Sequence, residues 1–155
     1  MPLTLWRIVK TRHAASAFDG EGARRFGGRW NPRGLPAVYL GGTLSLAALE
    51  TLVHLTAADA RLCFVALPLH VPDDIVITEL PTTALPAHWR SEPPPPATQA
   101  IGGEWLKSGS GLLLKTPSVI IPAEANYLLN PLHPDFGRTR IGTPQPFGFD
   151  QRLWK

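Results

Sequence analysis

The stretch GGRWN at residues 27–31 decides the fold, because it places a cation on a glycine turn just before a strand and a helix. The strand-like stretch AVYL follows at residues 37–40 and contains Tyr39. The predicted helix beyond it contains one carboxylate, Glu50. Arg29 has a planar fork of donors suited to phosphate or carboxylate. A loop, a strand and a helix thus deliver a guanidinium, a phenol and a carboxylate, which suits an anionic ligand containing a sugar.

Glu50 lies in an unusually apolar setting. The helix predicted over residues 44–55 begins after a capping residue, Thr43, and is apolar around most of its circumference. Burying a lone carboxylate is costly, so Glu50 must be paired, protonated or facing a cleft. Pairing with His54 one helical turn on and a functional cleft are both open at this point.

Ser118 is the polar residue inside a second apolar run. Residues 111–116 and 118–121 are predicted as buried strands bracketed by prolines. Alternation along a strand puts Ser118 and Ile120 on one face. The buried hydroxyl needs a partner, and a neighbouring backbone carbonyl is the plain alternative to a functional one.

Arg29, Glu50 and Ser118, in this order and inside these local sequences, resemble the RES-domain family, which is named for its arginine, glutamate and serine. The matching segments cover nearly the whole chain: WRIV at 6–9, GGRWN at 27–31, AVYL at 37–40, LAALE at 46–50, IGGEWL at 101–106, PSVI at 117–120 and EANYLLNPLHP at 124–134. Seven segments in order are far more specific than any short motif alone.

The resemblance implies a toxin of a bacterial type II toxin–antitoxin pair that breaks the nicotinamide–ribose bond of NAD. The ADP-ribosyl acceptor is then phosphate, water or a protein. The implied partner is an antitoxin similar to helix-turn-helix proteins of the Xre type, so DNA contact is indirect.

The resemblance also implies roles for individual residues. Glu50, Arg29 and Ser118 are the expected catalytic residues. The expected NAD-binding residues are Arg7, Arg29, Tyr39 and Asn126. Glu50 is expected to stabilise positive charge on the ribose, while Arg29 and Arg7 hold the pyrophosphate. Tyr39 is expected to stack on a ring or bond a ribose hydroxyl, and Ser118 to orient Glu50 or the nicotinamide amide.

Composition sets further expectations. A chain of 155 residues with 44% apolar content can bury one core, which predicts a single domain over residues 1–155. The single cysteine, Cys63, lies in a predicted buried strand, which indicates a reducing compartment and makes a catalytic thiol improbable. The sequence shows neither a signal-peptide pattern nor an apolar run of membrane-spanning length, so a cytoplasmic protein without a membrane partner is expected.

The charge pattern leaves alternatives open. Net charge is only +3, but arginines cluster at Arg24, Arg25, Arg29 and Arg33. Such a cluster could bind RNA or DNA phosphates, bind one pyrophosphate or be a solvated loop. The alternatives to an NAD-cleaving toxin are therefore a ribonuclease-type toxin using this loop and a non-catalytic module that binds an ADP-ribose-like ligand or a partner. The histidines are dispersed, so no metal is expected.

Short strands and a few helices without strict alternation predict an α+β fold, and the resemblance makes it ADP-ribosyltransferase-like, with short-stranded mixed sheets and a few flanking helices. Residues 13–26 are predicted as a helix-poor loop, 61–69 and 74–79 as a strand pair, and 81–96 as a rigid surface loop. Thr98 is predicted to cap a helix running to about residue 107, whose glycines permit close packing. The remaining predicted elements are strands at 3–10, 37–41 and 126–129 and an edge strand within 144–155.

Overall fold

The computed structural model describes residues 2–154, apart from the side chain of residue 60. Both ends of the expected single domain, Met1 and Lys155, lie outside the described residues. The strands are β1 Leu3–Lys10, β2 Val38–Gly41, β3 Phe64–Val71, β4 Ile77–Glu79, β5 Leu113–Pro117, β6 Ala125–Leu129, β7 Arg140–Ile141 and β8 Gln145–Phe147. The α-helices are α1 Glu21–Phe26, α2 Leu44–Leu52 and α3 Pro96–Ser108. Single 3-10 turns lie at Thr11–Ser16, Asp59–Arg61, Thr82–Ala84, Pro134–Arg138 and Gln151–Trp154.

One mixed sheet contains all these strands. Its order is β4-β5-β6-β2-β1-β3-β7, and β8 also pairs with β3. The pairing of β4 with β5 is parallel, whereas the other paired strands are antiparallel. This architecture confirms the α+β prediction, with short strands in a mixed sheet and a few flanking helices. The strand predicted near the C-terminus is also present, as β8 on an edge of the sheet.

Apolar clusters cover both faces of the sheet. The largest contains buried side chains from the inner strands, including Leu5, Val38, Leu40, Leu67, Leu69, Leu113 and Leu129. Two smaller clusters are separate from it: one joins Trp30 to Leu106 and Leu128, and the other joins Ala47 to Ile8 and Phe64. Helices α3 and α2 therefore each pack on the sheet through a cluster of their own.

Two glycines let the helices approach backbone closely. A Cβ on Gly41 would lie 2.8 Å from the Ala47 nitrogen, so α2 lies directly on β2. A Cβ on Gly102 would lie 1.7 Å from the Trp30 carbonyl oxygen, which confirms the close packing expected of the α3 glycines. The cap predicted for α2 is also confirmed, because Thr43 Oγ1 accepts a hydrogen bond from the Leu46 nitrogen at 3.1 Å. The helix ends at Leu52, three residues earlier than predicted.

Two local predictions were wrong in the first half of the chain. Residues 13–26 are largely helical, because Gly20 precedes α1 and Gly27 follows it, so these glycines bound a helix rather than opening a loop. Cys63 is exposed and precedes β3, so it does not lie in a buried strand.

The predicted strand pair was also wrong. Strand β3 pairs with β1 along eight residues, whereas β4 pairs with β5 at the other end of the sheet. β7 and β8 pair with the other side of β3, so strands from distant parts of the chain occupy both of its sides.

Two predictions in the second half need correction. Residues 118–121 form a bend instead of a strand, and Ser118 Oγ accepts hydrogen bonds from the backbone nitrogens of Ile120 and Ile121 at 3.1 and 3.0 Å. These local bonds compete with strand pairing. Thr98 does not cap α3, which begins after Pro95; its hydroxyl is buried within the first turn and donates to the Pro95 carbonyl.

Candidate active site

Glu50 is the centre of a compact polar cluster. Ser118 Oγ donates a hydrogen bond to Glu50 Oε1 at 2.7 Å, and Asn126 Nδ2 donates to the same oxygen at 2.8 Å. Ser118 is fully buried, and Glu50 is half-buried. Three of the residues predicted for the site are therefore in direct contact, although their positions along the sequence are far apart.

The topology explains this contact. Gly41 in β2 is paired with Asn126 in β6, and α2 lies on Gly41 through Ala47. Glu50 follows Ala47 by three residues, so it lies on the same side of the helix within about one turn. Ser118 comes next after the β5 residue that pairs with Ala125. Helix, strand and bend thus converge at one end of the β2–β6–β5 part of the sheet.

The two oxygens of Glu50 differ in their environment. Oε1 accepts both hydrogen bonds, whereas Oε2 has no hydrogen-bond partner within residues 2–154. The pairing of Glu50 with His54, one of the alternatives raised by the sequence, is not the arrangement found. Ser118 donates to Glu50 rather than to a backbone carbonyl, so its buried hydroxyl is satisfied by a side chain. A carboxylate with one fixed oxygen and one open oxygen can accept a hydrogen bond from a ligand hydroxyl or face a developing cation.

Arg7 and Tyr39 form a second group. Arg7 Nε donates to the Ala17 carbonyl at 2.6 Å, and Arg7 Nη1 donates to the Tyr39 carbonyl at 3.2 Å. Burial lowers the pKa of Arg7, and the nearby Asp19 carboxylate opposes that shift. Arg7 therefore links β1 to β2 from a largely buried position.

The Tyr39 hydroxyl forms hydrogen bonds with the loop that contains Arg29. It donates to Asn31 Oδ1 at 2.6 Å and accepts from the Trp30 nitrogen at 3.0 Å. Burial raises the pKa of Tyr39, while hydrogen bonds from the backbone of Trp30 and Asn31 and the positive charge of Arg29 oppose that shift. Asn31 is itself fully buried, and its amide donates to three backbone carbonyls. Asn31 was assigned no role from the sequence, although its position directly after Trp30 in the arginine loop was the available signal.

Arg29 extends toward the proline-rich segment after β4. Its Nη1 donates to the carbonyls of Trp89 and Ser91, both at 2.8 Å, and its Nη2 pairs with Glu92 Oε2 at 2.9 Å. The hydrogen bonds of Arg29 thus go to residues 89–92 and not to the Glu50 cluster. The arginine is joined to the rest of the site through its loop, because its neighbours Trp30 and Asn31 hold the Tyr39 hydroxyl.

A cavity of about 370 Å³ is lined by residues that adjoin the Glu50 cluster along the chain. Its lining includes Gly42 and Thr43 before α2, Pro117 next to Ser118, and Ala125 next to Asn126. Glu50, Ser118 and Asn126 are not themselves in the lining. In the part of the chain that the structure describes, no group of three His, Cys, Asp or Glu side chains could hold a metal ion.

Comparison with known proteins adds the family. A model described as the RES domain matches residues 4–150. The chain belongs to the RES-domain family. It is 43% identical to a protein named Toxin Res from Yersinia enterocolitica, over 97% of this chain and 99% of that protein. It is 36% identical to the Prs ADP-ribosylating toxin of a Sphingobium species, over 99% of this chain and 98% of that protein.

Two further matches concern one mycobacterial protein. Over 72 residues, 43% of this chain and 39% of the relative, the RES chain is 40% identical to the NAD(+) phosphorylase MbcT of Mycobacterium tuberculosis. The crystal structure of the M. tuberculosis MbcT–MbcA toxin–antitoxin complex superposes with a TM-score of 0.75 at 21% identity. That superposition covers 99% of this chain and 87% of the other, so the two chains share a fold. Among the helices described for the RES chain, none has the length and apolar character needed to cross a membrane.

Proposed function

We propose that this RES chain is the toxin of a bacterial type II toxin–antitoxin pair and that it cleaves the nicotinamide–ribose bond of NAD. The observation that carries the proposal is Glu50, with one oxygen fixed by Ser118 and Asn126 and the other unpaired among the described residues. The names of two relatives, an NAD(+) phosphorylase and an ADP-ribosylating toxin, support NAD as the substrate.

The chemistry of NAD suits a carboxylate of this kind. Nicotinamide in NAD is already a cationic leaving group and needs no proton to depart. Positive charge develops on the ribose as the bond stretches, as it does in glycoside cleavage. In this proposal the open oxygen of Glu50 accepts a hydrogen bond from a ribose hydroxyl or faces that charge. Either interaction stabilises the transition state more than the ground state. Because Ser118 donates its hydrogen to Glu50, we assign it to orienting the carboxylate rather than to the nicotinamide amide. Asn126 shares that role.

The arginines are assigned to the pyrophosphate. Arg29 and Arg7 together would fix the dinucleotide so that the ribose meets Glu50. Two protons of Arg7 and those on Nη1 of Arg29 are held by backbone carbonyls, so each guanidinium is fixed in orientation before a ligand arrives. Since the Tyr39 hydroxyl is held by Asn31 and Trp30, its ring is the part left for the ligand.

Three acceptors remain in the proposal: phosphate, water and a protein. The partner is proposed to be an antitoxin of the Xre helix-turn-helix type, and the toxin is proposed to contact DNA only indirectly, through this antitoxin. The proposed site of action is the cytoplasm. The matched mycobacterial toxin was crystallised with its antitoxin, which supports a protein partner.

The test is nicotinamide release from NAD, followed by chromatography of both products. Parallel reactions with inorganic phosphate, without it, and with bacterial proteins present identify the acceptor. Glu50→Gln should abolish release, whereas Glu104→Gln, an exposed carboxylate on α3, should leave it unchanged. Release that survives Glu50→Gln overturns the proposal, and so does RNA degradation without NAD loss or intact NAD after long incubation.

A further inference from the structure

The guanidinium of Arg29 forms an ion pair with Glu92, a carboxylate of the same chain. Arg29 Nη2 lies 2.9 Å from Glu92 Oε2, and 13% of the arginine side chain is exposed against 74% of the glutamate side chain. A nearly enclosed guanidinium is therefore paired with a freely accessible carboxylate. That asymmetry means that the glutamate can leave at little cost, whereas the arginine stays in place.

The two edges of the guanidinium have different partners. Both protons of Nη1 are directed to the carbonyls of Trp89 and Ser91, which fix the plane of the group. The other edge consists of Nε and Nη2, the pair that can hold an oxyanion in two parallel hydrogen bonds. Glu92 accepts a hydrogen bond from Nη2, one of the two nitrogens of that edge. A phosphate oxygen that binds Nη2 therefore competes with the Glu92 carboxylate.

The segment that contains Glu92 is fastened on both sides of the site. Arg29 holds residues 89–92 from one side, and Arg90 Nη2 donates to the Val119 carbonyl at 2.8 Å on the other, next to Ser118. The Trp89 ring packs in the same apolar cluster as Trp30. These contacts hold the backbone of residues 89–92 independently of the Glu92 side chain, so removing the Glu92 charge should leave this backbone in place.

We propose that Glu92 is an internal competitor for the anion site at Arg29 and sets the affinity of the chain for its dinucleotide. The inference rests on the proposed function, in which Arg29 receives the pyrophosphate of NAD. Glu92 holds the arginine edge until a pyrophosphate oxygen displaces it, and the freed carboxylate turns into solvent. Glu92 is thus an affinity-determining residue and touches none of the reacting atoms.

The test compares Glu92→Gln with the unmodified chain and with Glu104→Gln, which removes one negative charge elsewhere. Exposed ion pairs contribute little, so KM for NAD should fall by about two- to fivefold in Glu92→Gln while kcat stays the same. Glu104→Gln should change neither value. An unchanged or raised KM in Glu92→Gln overturns the inference while leaving NAD cleavage itself intact.

A binding measurement keeps the inference testable without catalysis. ADP-ribose retains the pyrophosphate, so calorimetry should show its Kd falling by the same two- to fivefold factor in Glu92→Gln. The tightening should vanish when Glu92→Gln is made in an Arg29→Gln background, because the competition requires both charges. Tightening that persists in that background overturns the inference. If the unmodified chain binds ADP-ribose but releases no nicotinamide, the proposed cleavage fails and the calorimetric comparison still decides the role of Glu92.

Discussion

Replacing Ser118 with alanine separates the support of the carboxylate from its chemistry. The change removes the donor 2.7 Å from Glu50 Oε1 and the acceptor that the Ile120 and Ile121 nitrogens share. Asn126 still donates to the same carboxylate oxygen at 2.8 Å, so Glu50 keeps one of its two supports.

The expected size follows from those contacts. A hydrogen bond to a charged group contributes about 1.5–3 kcal/mol, and the partly buried backbone donors left without a partner add to the loss. We expect the free energy of unfolding to fall by about 2–4 kcal/mol and kcat to fall by roughly 10- to 100-fold, since 1.4 kcal/mol corresponds to tenfold. KM should change by less than about twofold, because Ser118 is assigned no contact with NAD.

Two assays check this prediction. Urea denaturation measures the free energy of unfolding, and nicotinamide release at a temperature where the variant is folded measures kcat and KM. Ser108→Ala is the matched control, because Ser108 is exposed at the end of α3 and its hydroxyl bonds only locally. Equal kcat in Ser118→Ala and the unmodified chain, with the variant fully folded, would refute the positioning role.

The remaining predictions concern the loop that carries Arg29. Tyr39→Phe should lower the free energy of unfolding by about 1–2 kcal/mol in urea titrations, because it leaves buried Asn31 Oδ1 without its donor. Gly28→Ala should lower the free energy of unfolding by more than Tyr39→Phe does, since the new Cβ would lie 2.6 Å from the Tyr39 oxygen. The double variant Gly28→Ala with Tyr39→Phe should lose less free energy of unfolding than the sum of the two single losses, and strict additivity would contradict the clash. The folded chain raises the pKa of Tyr39 above its ordinary value of 10.0. The contribution of Tyr39 to the free energy of unfolding should therefore be fully present below that pH and decline above it. Urea midpoints from pH 8 to 11 measure the decline, and Tyr39→Phe should lack this part of it.

The sequence predicted what depends on local chemistry. Thr43 precedes an apolar helix and caps it, and β1, β5 and β6 lie close to the predicted bounds. The partners of β3 and β4 could not be predicted, because strand pairing depends on contacts between residues far apart along the chain. A strand preceding another by a few residues resembles a hairpin unless the rest of the sheet is known.

The candidate site shows the same division. The polar residues in apolar surroundings, Glu50 and Ser118, were visible in the sequence, and the structure brings them into contact with Asn126. Their hydrogen bonds to one shared oxygen were not predictable, since Ser118 lies in a bend set by its own hydroxyl rather than in the expected strand. Glu92 was missed because nothing local to a proline-rich loop indicates which distant arginine it meets.

The distances along the chain between Glu50 and its donors have a consequence for synthesis. Ser118 and Asn126 follow Glu50 by 68 and 76 residues, so a growing polypeptide carries the acid long before either donor leaves the ribosome. A truncated or nascent product therefore has an unsupported carboxylate and no organised centre. The proposed site is therefore organised only after synthesis has passed Asn126.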